Sequence, residues 1–152
     1  MKGPVVKTLI AADTTVDPLI TYLKGADSGF EAECAPYNTI VQVLNDNSGR
    51  FLDDGLRLLV VWSTPERAIA AFANVFTENQ WDVDRILKEV DQFAEYLLRA
   101  AERVELLVIM SWCPPPPPYF LWIQGFTMKH RQGVANILMH MNLRLAERLK
   151  DA

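Results

Sequence analysis

Small polar and indole side chains cluster where three apolar runs end. Asp13-Thr14-Thr15 follows the run over residues 5–12, Trp62-Ser63-Thr64 the run over 56–62, and Ser111-Trp112-Cys113 the run over 104–110. If each run is a strand of a parallel sheet, these residues stand outside the strands' carboxyl ends, the crevice where open α/β sheets bind ligands. The expected rim is Asp13, Thr14, Thr15, Trp62, Ser63, Thr64 and Trp112. Asp13 can orient a ligand hydroxyl or cap the next helix. Trp62 and Trp112 either line the crevice or pack beneath loops. Glu66 beside Arg67 reads as a helix-terminus charge rather than a catalytic acid.

Metal chemistry finds less to work with. His130 and His140 are the two histidines. Ten residues apart, they are separated by about 280° on a helix of about 100° per residue, so they share no face for a metal. Each reads as solvated or packed. Cys34 and Cys113 lie 79 residues apart with no CxxC-type spacing, which argues against a disulfide framework or zinc knuckle and for a reducing cytoplasm. Neither a metal nor a cofactor is expected in this chain. Asn74 and Asn142 read as helix-surface or interhelix hydrogen bonders.

The elements that would position the rim follow from periodicity. Residues 5–12 and 56–62 are apolar runs of strand length, as is 104–110, and each reads as a strand buried on both faces. Residues 30–35 alternate apolar and polar, as a half-buried or edge strand does. Helices are expected over 16–24, 37–44, 65–76, 81–103 and 132–150. Pro18, Pro36 and Pro65 fall at or near helix starts, where proline is tolerated. Residues 45–49, Asn-Asp-Asn-Ser-Gly, are loop chemistry. Pro114–Pro118 is a polyproline run, read as a stiff loop above a strand end or a recruitment site for an SH3-like module.

The pattern β-α-β-α-β-α-α-β-α implies an α/β fold: a three-layer α/β/α sandwich on a parallel sheet, joined by right-handed crossovers. The flavodoxin-like member of that class has strand order 2-1-3-4. Strand 104–110 would then be a sheet edge despite its apolar sequence, and a fifth strand missing after Ala152 would account for that. One domain of 152 residues is expected. A net charge of −4 offers nucleic acid no basic face. The short apolar run near the N-terminus, soon met by Asp13, is too short for a signal peptide or membrane span.

Five stretches also carry a family resemblance. Thr15-Val16-Asp17-Pro18-Leu19, Ala35-Pro36-Tyr37, Val61-Trp62-Ser63-Thr64-Pro65-Glu66, Glu89-Val90-Asp91-Gln92-Phe93-Ala94 and Met141-Asn142-Leu143-Arg144-Leu145-Ala146-Glu147 occur in the order found in FkbH-like proteins. The chain resembles the N-terminal region of that family (haloacid-dehalogenase superfamily, subfamily IIIC). The resemblance implies an SGNH-hydrolase-like fold, with a phosphatase domain following in the full-length relatives. It implies a part in loading a glyceryl unit from a phosphorylated three-carbon donor onto an acyl carrier protein, in polyketide or other secondary-metabolite biosynthesis. The magnesium-binding Asp-x-Asp motif of that phosphatase is not found after any strand here: Asp53-Asp54 lies in a loop and Asp82-x-Asp84 at a helix start.

The SGNH likeness also raises a hydrolase. Thr14 would stand where that family has its nucleophilic Ser, and Ser63 or Thr64 where it has an oxyanion-hole Asn. No histidine stands in an Asp-x-x-His pair to take the nucleophile's proton. The expected role is therefore to bind the carrier-linked or acyl substrate beside a phosphatase domain. A Thr14 or Ser63 esterase is one alternative, and a structural docking module, with a homodimer formed through the edge strand, is another.

Overall fold

The computed structural model describes residues 5–25, 29–78, 81–113 and 133–151. Strands β1 (Val6–Ala12), β2 (Phe30–Cys34), β3 (Leu58–Trp62) and β4 (Leu106–Ile109) form an all-parallel sheet in the order β2-β1-β3-β4, flanked by helices. Fold class and strand order are those expected from the alternating pattern. β1 sits between two neighbours, pairing Val6 with Phe30 on one side and Thr8 with Leu58 on the other. Its run Leu9–Ala12 is buried throughout. That is why it reads as unbroken apolar sequence rather than as alternation.

The chain divides into two compact units. The first comprises Met1–Ser63 and Tyr96–Met110, and the second Thr64–Glu95 and Ser111–Ala152. The first holds the sheet, with α1 (Asp17–Gly25) and α2 (Ile40–Leu44). On one sheet face Ile10, Ala12 and Ala32 pack with Val16 and Ile20, joined by Leu23 and Val60. The crossover from β1 to β2 runs opposite to that from β2 to β3. With both right-handed, α2 is carried to the other face. Helix α2 begins three residues later than its expected start because Asn38 takes a left-handed φ of 61° and Thr39 Oγ1 donates to the Pro36 carbonyl at 2.5 Å. Asn tolerates that conformation, and the local turn outcompetes helix.

The second unit contains α3 (Pro65–Ala68), α4 (Ala70–Thr77), α5 (Val83–Ala101) up to Glu95, and α6 (Val134–Leu149). The single helix expected over 65–76 is two. Fully buried Ile69 is extended (φ −125°, ψ 99°), and the Ala71 N–H freed by the break donates to Glu89 Oε2 at 2.8 Å. Phe72 and Phe76 meet edge to face with centroids 5.2 Å apart. Arg144 forks both oxygens of Asp91 at 2.7 and 2.8 Å, joining α6 to α5.

The expectation that 104–110 is buried on both faces is corrected. Leu106 is 57% exposed, and Val108 and Met110, on the same side of the strand, are exposed as well; β4 pairs with β3 alone among the described residues. The polyproline run, the aromatic residues after it and His130 lie outside the described residues.

Candidate functional site

Strand order reverses between β1 and β3, the topological switch point of this fold class. Ala12 stands opposite Trp62, and the ladder continues one step further, the Asp13 N–H donating to the Trp62 carbonyl at 3.2 Å. Asp13 and Ser63 are only 5% and 6% exposed, Thr14 is half-buried, Thr15 is exposed and Trp62 is 36% exposed. All five belong to the first unit. The Met110 N–H donates to the Val61 carbonyl at 3.0 Å, so β4 ends level with them.

The other two rim residues belong to the second unit. Half-buried Thr64 precedes Pro65 at the start of α3, with an extended backbone suited to a cap position. Trp112 is buried, its ring 5.7 Å from that of Phe93. Its backbone is clamped by one side chain: the Trp112 N–H donates to Asn142 Oδ1 and Asn142 Nδ2 donates to the Trp112 carbonyl, both at 2.9 Å. Asn142 thus serves the backbone of Trp112 rather than a second helix. It supplies an acceptor and a donor as a neighbouring strand would.

The chemistry available at the switch point is recognition. A buried carboxylate accepts hydrogen bonds from hydroxyl groups, two threonine hydroxyls both donate and accept, and the exposed indole offers an apolar face with a polar edge. The first unit contains no histidine, since His130 and His140 lie outside its ranges. Among the described residues no group of three or more His, Cys, Asp or Glu could hold a metal ion. Glu66 in α3 keeps its Oε2 buried without a hydrogen-bond partner among the described residues.

A concavity away from the switch point was not foreseen. The loop over residues 45–57 is gathered around Asp46, whose buried carboxylate accepts from the Ser48 N–H (2.9 Å), Ser48 Oγ (2.7 Å), the Phe51 N–H (2.6 Å) and the Leu52 N–H (3.0 Å). Burial alone would raise its pKa. The Ser48 hydroxyl and the three backbone donors outweigh it and hold the carboxyl far below the usual range. Arg103 closes the loop from above, donating to the carbonyls of Asp46 and Leu52.

This loop walls a cleft of about 230 Å³ against the β1–β2 face that carries Lys7, Leu9 and Glu33. Lys7 Nζ lies 2.5 Å from Asp53 Oδ2. That hydrogen bond raises the ammonium's pKa against its desolvation, and it lowers the Asp53 carboxyl, helped by the Gly55 N–H. Desolvation, then the Asp17 carboxylate, push the Cys34 thiol up, which leaves it a poor nucleophile. The sequence signalled the turn, Asp46-Asn47-Ser48-Gly49, but not the distant groups it would meet.

No helix among the described residues is long and apolar enough to cross a membrane. Comparison of the chain with family models, with curated proteins and with solved structures gives no match.

Proposed function

We propose that this chain is a substrate- or carrier-binding domain of the FkbH-like kind, receiving an acyl or glyceryl unit borne by an acyl carrier protein at the β1/β3 switch point. The observation that carries this reading is the adjacency of Asp13 and Thr14 at one strand end with the exposed Trp62 at the next. The carboxylate and threonine hydroxyls suit a hydroxylated three-carbon unit, and the indole suits the alkyl portion of the arm that delivers it. The lack of a histidine in the same unit favours holding the substrate over cleaving it.

Titration of the ¹⁵N-labelled chain with glyceryl-loaded acyl carrier protein should give saturable shifts of the Trp62 indole N–H. Trp62→Ala should weaken binding by about tenfold or more, as truncating a buried aromatic anchor does. Absence of saturation at millimolar carrier would overturn the proposal. Thioester hydrolysis by this chain that fell by about 100-fold in Thr14→Ala or Ser63→Ala would replace binding with catalysis.

A second reading has its own support. The exposed apolar side of edge strand β4 suits a docking module, whether its partner is the family's phosphatase domain or another copy of this chain.

A further inference from the structure

We propose that the cleft between the 45–57 loop and the β1–β2 face binds a small zwitterion of the free α-amino-acid class, independently of the reading above. The argument starts from charge. Four ionic side chains line the cleft, Lys7 and Arg50 against Glu33 and Asp53, so the lining is neutral as a whole. Lys7 and Asp53 satisfy each other at 2.5 Å. Arg50 and Glu33, both exposed and opposite in sign, are in no ion pair among the described residues, and Glu33 also lies in the field of the Lys7 ammonium.

Arg50 is placed to use its charge. Its guanidinium carbon lies 5.1 Å from the centroid of the Phe51 ring. Stacking on an aromatic face leaves the N–H groups around the guanidinium edge free to fork a carboxylate. Glu33, opposite Leu9 in the sheet register, supplies the matching site for an ammonium. The same cleft is also lined by buried apolar residues, Leu9, Ala35 and Leu56. A simple anion would leave the Glu33 carboxylate facing it, and a simple cation would meet Arg50. A zwitterion with a short apolar side chain answers both charges and the apolar lining.

Size and rigidity agree. A volume of about 230 Å³ is below the range of about 300–1,000 Å³ typical of drug-sized ligands, which suits a small ligand. The loop wall is held by its own hydrogen bonds. Asp46 gathers its backbone and Arg103 ties two of its carbonyls, which lowers the backbone part of the ordering cost of binding.

The test uses the full chain, ¹⁵N-labelled, titrated with a panel of free aliphatic, hydroxyl- and sulfur-bearing amino acids. Each that binds is compared with its N-acetyl form (anion only) and its amide (cation only). The expected result is saturable movement of the Phe51 and Cys34 amides by at least one free amino acid, with both blocked forms weaker by about tenfold or more. Arg50→Gln and Glu33→Gln should each weaken the zwitterion similarly. Both side chains are exposed, and unchanged β1 and β3 amide dispersion confirms that the variants fold. Two results would overturn the proposal: no saturable shift with any free amino acid at tens of millimolar, or an N-acetyl form binding as tightly as its parent with Glu33→Gln without effect. Shifts confined to residues 13–15 and 62–63 would likewise count against this cleft while leaving the switch-point reading standing.

Discussion

Asp46 shows how one carboxylate can set a loop. Four donors converge on its two oxygens, and an amide at the same position would keep one acceptor and turn its NH₂ toward N–H groups. Asp46→Asn should therefore destabilise the protein by about 1–3 kcal/mol, read from urea unfolding, because buried donors lose their partner. The pH dependence has a defined sign. The folded carboxyl titrates well below its ordinary value of 3.8. Its contribution is present above about pH 4 and is lost as pH falls toward the depressed folded value. Stability of the native sequence should fall progressively as pH drops below about 4, and Asp46→Asn should flatten that limb. The Asp-x-Ser-Gly spacing made the turn legible. Nothing local announced that Arg103 would hold two of its carbonyls, because that contact spans 57 and 51 residues.

Elements were legible where periodicity alone determines them. Helix α5 places Val83, Ile86, Val90, Phe93, Ala94 and Leu97 inward, as its helical spacing implies. The break at Ile69 was not legible, since the Ala-rich sequence on either side favours continuous helix. What stabilises the interruption is Glu89, 18 residues further on, accepting the Ala71 N–H. Glu89→Ala should cost about 0.5–2 kcal/mol in unfolding free energy, the usual effect of losing a side chain that satisfies a helix N-terminus. Asn142 acts in the same way on an extended segment. Asn142→Ala would remove both hydrogen bonds from the Trp112 backbone to that side chain and should cost about 1–3 kcal/mol, visible as a lower urea midpoint with unchanged slope.

At the scale of the whole sheet, the two edges differ. β2 shows exposed Glu31 and Glu33, which repel another strand, whereas β4 shows Leu106, Val108 and Met110. The N–H groups of Leu106 and Met110 point to β3, so those of Leu107 and Ile109 point outward. If β4 docks onto another copy, Val108→Lys should reduce the average mass in concentrated solution by sedimentation, with no change at high dilution. Equal mass for both proteins at all concentrations would remove self-docking. Strand order was readable because alternation and right-handed crossovers leave few arrangements. The rim was readable only as strand ends, because which polar residue is buried there depends on neighbours far along the chain.

The reach of Arg103 has a consequence for synthesis. A nascent chain that has grown only to residue 102 already contains Asp46, Ser48 and Phe51, yet nothing to fasten the carbonyls around them. Elongation delivers the N-terminal parts first, so this wall gains its Arg103 tie late although its own residues emerge early. A translational pause just before that arginine should leave the stretch around Asn47 open to proteases, and release from the pause should protect it.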